Sequence, residues 1–489
     1  MGEGYTFVEQ AMNTKKKITM TRSRSNTISD SDDSNKIVPV SRRKRLNILD
    51  TSSSEDSIPC NFTSSATCES ISTDGIDEEE NSVRLTEDIG PQSSLTNESK
   101  PINYFNLFID SSLLTIMVCE TNKYAEELIK SLDITRGSRM KQWKTVTLLE
   151  MKAFLSVLLE MGITKRPTMF SYWAENSRSI PWFSKMFSRN RFQLILRCFH
   201  LVDNKECFPP GHEKYDSSIK FMPIVEHANR VFKLYYKPHK ELSIDESLVG
   251  TLCHSNMMQY MPNKKHHRWG IKFWMFCDVV SKYCLSFYCY KGAKEKSDTT
   301  KSREHGLGYE VVVNLLEQNQ YLNKTNRKGV PSDIKTIKAN EVKYARDGEV
   351  LLCGYRENKS VKKPVLLIST HASEDNTITI KKRNGNERSK VKPCIVDCYN
   401  RYMGGVDESD KMLYVYLDER RTVKYWKKVT FNVIARMVLN AYLLYKEARK
   451  EKLMTRLEFT SSIISEIEHE WMQVKQSEMI SYKEGIYLA

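Results

Sequence analysis

Apolar positions are sparse up to residue 100 of this 489-residue chain, and then fall into two regular rhythms, one helical and one alternating. Residues 1–100 are rich in Ser, Thr, Asn, Asp and Glu and poor in aromatics, with no sustained period of either kind. They bury too little surface to offset the entropy of ordering, so a disordered tail is expected there. From Ile102 the spacing becomes helical. Phe105, Leu107, Phe108, Leu113, Leu114, Ile116 and Met117, then Tyr124, Leu128 and Leu132, predict two amphipathic helices, and Val146 to Leu159 predicts another, stopped by Gly162 and Pro167. Arg189 to His200 predicts a helix with an apolar face of Phe192, Leu194, Ile195 and Phe199; its basic side suits a DNA-facing helix or an ordinary amphipathic one.

At Glu241 the period changes to two. Leu242 and Ile244 alternate with Ser243, and Ile271, Phe273, Met275 and Cys277 alternate with Lys272, Trp274 and Phe276, which predicts two strands joined by an irregular basic loop. Asp245 is placed where the first strand is expected to stop, ahead of Lys264, Lys265, His266, His267 and Arg268. A carboxylate so placed suits a divalent metal facing phosphate, and equally suits a hairpin whose Asp245 caps a turn. Further on, Val350–Tyr355 and Val365–Ser369 read as short strands, and Lys381, Lys382, Arg383, Arg388, Lys390 and Lys392 as a basic loop. Basic and aromatic residues then alternate from Glu419 to Lys428, before a long helix with a core face of Val429, Val433, Met437 and Leu444. That stretch fits either a contact to DNA backbone or a solvated helix start.

Charge narrows the partner. Lys and Arg number 75 against 61 Asp and Glu, a net charge of +14 with a pI near 9.0, which favours a polyanion and nucleic acid first. The length suits about two or three domains. Twelve cysteines form no CxxC pair, which fits reduced thiols in the nucleus or cytosol. No apolar run approaches the ~20 residues of a membrane span, and no secretory signal is visible. Lys15–Lys17 and Arg42, Arg43, Lys44 and Arg45, beside acidic serine patches, fit nuclear import signals and equally fit ordinary solvated charge. The opening Met1-Gly2 fits a loose myristoylation pattern that the nuclear features outweigh.

A family resemblance rests on ordered blocks of residues. Trp143-Lys-Thr-Val-Thr with Glu150, the Met161-Gly-Ile-Thr-Lys-Arg-Pro turn, Tyr172-Trp173, Arg191-Phe192 and Phe199-His200-Leu-Val-Asp203-Asn204 resemble the N-terminal part of piggyBac transposases and the host proteins derived from them. Ser243-Ile-Asp245-Glu246, Gln259-Tyr-Met-Pro-Asn-Lys264 and Trp269-Gly-Ile-Lys272 resemble the first catalytic block of that family. Tyr399-Asn-Arg-Tyr-Met-Gly-Gly-Val-Asp407, with Asp410 and Met412, resembles its third. The resemblance runs from about Ile102 to Tyr445.

The resemblance implies an α/β fold: an RNase H-like core with an all-helical N-terminal domain and an inserted subdomain. It divides the chain into a tail (1–100), a helical domain for dimerisation or DNA binding (101–235), the first part of the core (236–325), an insertion (326–395), closing helices (396–455) and a C-terminal helical tail (456–489). In the family three aspartates hold two Mg ions about 4 Å apart that flank one phosphate, for cut-and-paste transposition into TTAA sites. Asp245 matches the first metal ligand, Asp407 the third, and Asp410 a nearby accessory acid.

The second acid is missing from its expected place. The family carries it in an Asp-Asn pattern on a strand after the helix that ends here near Glu317, but Gln318 to Thr325 contains no Asp, and Asn326 to Pro331 already resembles the insertion. By the family's pattern roughly thirty residues are absent, and at ~3.3 Å per residue the join holds one short strand at most, not a strand and a following helix. Such a gap fits a degenerate copy or a gene model that skips an exon. Of Asp278, Asp298 and Asp333, Asp278 is the best-placed substitute, though it reads as well as a turn cap. The chain is therefore expected to be a nuclear, piggyBac-derived protein that binds double-stranded DNA through Lys264, Lys265, Arg268, Lys272, Arg420, Arg421, Lys427 and Lys428, without cut-and-paste activity. Mg binding should be weak or nil. No zinc is expected: no cysteine follows Cys398, and His254, His266 and His267 lack Cys partners and read as loop or phosphate-facing residues. A homodimer is a candidate assembly. An active transposase with its second acid elsewhere, and a protein-interaction module docking through the acidic tail, are the other two readings.

Overall fold

A computed structural model describes residues 89–487 apart from 293–310, 312–314, 316–336 and shorter breaks. Residues 1–88 of the expected tail, with its basic clusters and Met1-Gly2, as well as His254, Lys265, Asp298, the Gln318–Thr325 join, Asp333 and Arg421, lie outside the described residues. The end of that stretch is ordered rather than part of a disordered tail: Gly90–Pro91 pair with Tyr236–Lys237, and the Gln92 N–H donates to the Tyr235 carbonyl at 2.9 Å.

After the short β1 (Gly90–Pro91), α1 (Pro101–Phe108) begins on a proline, whose fixed φ suits a first helical position. The break to α2 (Ser111–Ser131) falls at Asp110, whose Oδ1 accepts the Leu113 N–H at 2.8 Å. This cap sets the boundary between Phe108 and Leu113, so Leu113, Leu114 and Met117 lie on the same helix as Tyr124 and Leu128. α3 (Leu148–Ile163) starts at Thr147, whose Oγ1 accepts the Glu150 N–H, and is buried almost all round. It runs through Gly162, where the sequence pattern placed a stop. A Cβ there would meet the Tyr416 carbonyl oxygen at 2.1 Å, so the glycine serves a close approach of backbone. α4 (Pro181–Met186), α5 (Arg189–Cys198) and α6 (Met222–Tyr235) complete the N-terminal helices. On α5 the expected apolar face is buried, and Arg191 is tied to Glu150 at 2.5 Å beneath the Trp143 ring.

β2 (Tyr236–Lys237) pairs with β1 and leads to an antiparallel sheet of β3 (Leu242–Gly250), β4 (Met258–Tyr260), β5 (Trp269–Asp278) and β6 (Cys284–Cys289). β5 is central: β3 pairs along one edge, and β4 and β6 along the other. The sequence reading stopped β3 at Asp245. The strand instead continues five residues to Gly250, because the register Asp245↔Met275 through Gly250↔Gly270 keeps its backbone paired. β7 (Glu341–Asp347), β8 (Val350–Arg356) and β9 (Val365–Ser369) form a second antiparallel sheet. The expected basic loop is instead a hairpin of β10 (Asn376–Arg383) and β11 (Asn386–Pro393).

Four helices follow: α7 (Cys394–Tyr402), α8 (Gly405–Val415), α9 (Tyr425–Ala448) and α10 (Arg456–Tyr487). One continuous core takes in Phe105, Phe154, Met275, Phe276, Val433, Met437, Ile463 and Ile467. Burying each of the larger side chains stabilises the fold by ~1.5–3 kcal/mol. The last helix closes back on the first ones: Trp471 Nε1 donates to the Met186 carbonyl at 2.9 Å, and Trp182 Nε1 to Glu468 at 2.7 Å.

Candidate functional site

Strand period puts Ser243, Asp245 and Ser247 on one face of β3. Two of the three bond to the helices opposite. Ser243 Oγ donates to the Met403 carbonyl, between α7 and α8, and Ser247 Oγ donates to Asp410 Oδ1 at 3.0 Å. The face that carries Asp245 is therefore turned toward the start of α8, where Asp407 lies in the first turn; a helix N-terminus favours a carboxylate there. Asp245 and Asp407, 162 positions apart in the sequence, are brought to the same place.

Between them is a cation. Lys264, in the loop from β4 to β5, places Nζ 2.7 Å from Asp407 Oδ1. Burial lowers the Lys264 ammonium's affinity for its proton, but the hydrogen bond to Asp407 and the charge of Asp245 outweigh it and hold the group cationic. Burial pushes the Asp245 carboxyl up to about 6, against the pull of Lys264. Its Oδ1 accepts the Glu246 N–H at 2.7 Å. Asp407 is much more open, with 63% of its side chain exposed. The site is thus a half-buried and an exposed carboxylate sharing one ammonium. Tyr399 of α7 is close by, its phenol pushed up by burial and then by the Asp245 charge.

Asp410, one helical turn beyond Asp407, is buried and accepts from Arg436 Nη2 at 2.6 Å. Arg436 is itself buried. An accessory acid in such a pair is a structural charge on α8, held by α9. Asp278 is structural too. Fully buried at the end of β5, its Oδ1 accepts the N–H groups of Val280 and Ser281, and its Oδ2 accepts from the His239 N–H, His239 Nδ1 and the Tyr236 hydroxyl. This is the turn cap that the sequence allowed, and it leaves Asp278 no free lone pair with which to replace the missing acid.

Three of the expected phosphate contacts need correction. Lys427 is buried, and its Nζ donates to the Leu196 and Arg197 carbonyls at 2.5 and 2.9 Å, closing the C-terminal end of α5. Burial, with Lys424 adding to it, brings its ammonium down to about 7. Lys272 pairs with Glu246 at 2.9 Å and lies over the Trp274 ring, because Glu246 and Lys272 are diagonal neighbours across β3 and β5. Arg420 is turned onto Asp418 at 2.5 Å and Met169 Sδ at 3.3 Å. Lys428 is half-buried and its ammonium is lowered by burial. Arg268 is exposed.

Sequence reasoning missed one cluster. His266 and His267, expected to face phosphate, instead meet Glu419: Nε2 of His266 is 3.0 Å from Oε2, and Nε2 of His267 is 2.5 Å from Oε1. Burial raises the Glu419 carboxyl, but hydrogen bonds from His267 and His266 outweigh it and bring it to about 2. The paired histidines were visible in the chain; their acidic partner, 152 positions away, was not.

The fold, an antiparallel sheet backed by helices, matches a transposase among solved structures. The match is to "Cryo-EM structure of piggyBac transposase synaptic complex with hairpin DNA", with a TM-score of 0.63 and 22% identity, covering 79% of this chain and 84% of that one. The family model described as Transposase IS4 matches residues 100–325 and 321–442, and the chain belongs to the piggyBac transposase family. Among curated human proteins it is 23% identical over 422 residues to piggyBac transposable element-derived protein 3, covering 76% of this chain and 66% of that protein. It is 22% identical over 400 residues to piggyBac transposable element-derived protein 2, spanning 62% of its length, and 21% identical over 426 residues to piggyBac transposable element-derived protein 5, spanning 77%.

Proposed function

We propose that this chain is a transposase-derived, nuclear DNA-binding protein whose RNase H-like core no longer performs cut-and-paste transposition. The observation that carries the reading is the Lys264 ammonium seated on Asp407 and within the field of Asp245. Two carboxylate groups offer the oxygen donors that Mg prefers, and Asp245 and Asp407 would hold the ion. When bound, Mg supplies charge stabilisation and an activated nucleophile for phosphodiester chemistry. Asp407 holds Lys264 in place and the charge of Asp245 favours its protonated form, so an ion has to displace an ammonium that is already paired. With no Asp in Gln318–Thr325, two acids alone make that exchange unfavourable. The two stretches matched by the family model overlap at 321–325, at the join itself, which supports an internal loss there.

What remains suits phosphate. The β4–β5 loop carries Lys264, at Asp407, and the exposed Arg268, with Lys265 between them in sequence. Binding of this kind reads charge more than sequence. Double-stranded DNA should bind with an affinity that falls steeply with salt, at a log-log slope of about −0.9 per phosphate contact. Filter binding from low to physiological salt tests this. Arg268→Ala should flatten the slope by about one contact and Lys427→Met should leave it unchanged. Absence of binding at low salt would favour the protein-interaction reading. For location, neutralising Arg42, Arg43, Lys44 and Arg45 should shift a fluorescent fusion from nucleus to cytoplasm; an unchanged nuclear signal would exclude that cluster as the import signal.

A further inference from the structure

We propose that His266, His267 and Glu419 form a binding site for a zinc-type divalent cation, which clips the β4–β5 loop to the segment between α8 and α9. One ligand atom from each residue lies within 4.8 Å of the other two. Ligand atoms ~2.0–2.1 Å from a tetrahedral ion are about 3.3 Å apart, so the imidazole-to-carboxylate spacings of 2.5 and 3.0 Å need to open by less than an ångström. Two imidazole nitrogens and a carboxylate make a donor set that suits zinc, with a fourth position open to water. The all-oxygen pair at Asp245 and Asp407 suits a harder ion, so the two sites differ in chemistry as well as place.

Both rings are held from behind. The His267 imidazole lies against Gly250 at the end of β3, where an added Cβ would come within 2.2 Å of its Cγ and Cδ2. A larger residue at 250 would push the ring off the sheet. His266 rests on the Tyr414 ring with centroids 4.4 Å apart, and the Tyr414 hydroxyl is anchored to the Leu248 carbonyl at 2.6 Å. Sheet and α8 thus fix two consecutive histidines so that both point to one carboxylate. Of the neighbouring charges, Asp418 is occupied by Arg420, and Lys428 acts on Glu419 from α9. The absence of Cys partners argued against zinc in the sequence; the third ligand here is an acid from a distant segment. None of the three residues belongs to the proposed phosphate contacts or the Asp245–Asp407 pair, so the site stands or falls independently of the DNA-binding reading.

The test is a titration of chelator-treated full-length protein with Co²⁺ and then Zn²⁺. One equivalent of Co²⁺ should produce the visible absorption of a four-coordinate nitrogen and oxygen site, without a thiolate charge-transfer band. Zn²⁺ should abolish it, and a large excess of Mg²⁺ should not. Glu419→Gln and His267→Gln should each weaken binding at least tenfold, with circular dichroism showing that both variants fold. Cys394→Ser should change nothing. Two results would overturn the proposal: no absorption from folded wild-type protein, or binding of equal strength in Glu419→Gln and His267→Gln.

Discussion

Asp278 and Asp245 lie on paired strands of one sheet, yet their surroundings are opposite. At the turn end of β5, Asp278 is sealed from solvent and takes five hydrogen bonds from backbone and side-chain donors. On the face of β3, the hydrogen bond described for Asp245 comes from its neighbour's N–H, and its charge is answered by a lysine from another segment. An acid that builds the fold has its lone pairs filled locally. Asp245 has only one such donor described, and burial raises it toward neutrality. Asp410 and Asp407, one turn apart on α8, differ in burial in the same way: Asp410 is buried on Arg436, whereas Asp407 is largely exposed.

The contrast can be broken by substitution. Asp410→Ala strands the buried Arg436 charge and should cost ~3–5 kcal/mol, the largest loss of the set, read from urea unfolding midpoints. Asp278→Ala leaves Tyr236, His239 and two turn amides without their acceptor and should cost ~2–4 kcal/mol. If either loss were below that of Asp407→Ala, the division between the structural acids and the candidate site acids would be wrong. Lys427→Met uncaps two carbonyls of α5 and should cost ~1–3 kcal/mol.

Asp245 should behave in the opposite sense. Its carboxyl is raised from 3.8 to about 6, so between those values the native state binds more protons than the unfolded chain. Stability from this group is therefore present at low pH and lost as pH rises through about 6. Asp245→Asn should raise stability at pH 7 by ~1–2 kcal/mol, a gain that disappears near pH 4. Thermal melts of both proteins at the two pH values check it. At the small end, the largely exposed Asp407 should lose under ~1 kcal/mol on replacement by Asn.

Much of this architecture was legible in the chain because period and burial coincide. β5, β8, β9 and the α9 core face lie where the alternation and the helical spacing put them. Asp245 and Asp407 could be paired only through family resemblance, since no local pattern links residues so far apart. Charged residues were the least legible. Lys427 has the same neighbours in sequence as a DNA-contacting lysine would, and only the approach of α5 to α9 turns it inward. Glu419 and Arg436 gave no signal either, because their partners lie on other segments. Local sequence also allowed Asp278 two roles, and it took Tyr236 and His239 to decide between them.

The most direct measurement is of nicking and joining of duplex DNA by the purified chain, with candidate transposon ends, in Mg²⁺ and in Mn²⁺. Binding without nicking or joining is the expected outcome, because an ion held by Asp245 and Asp407 alone cannot stabilise both the attacking and the leaving oxygen of the displacement. Robust metal-dependent cleavage that disappears in Asp245→Ala would contradict the loss of activity and would place a working third acid elsewhere in the chain.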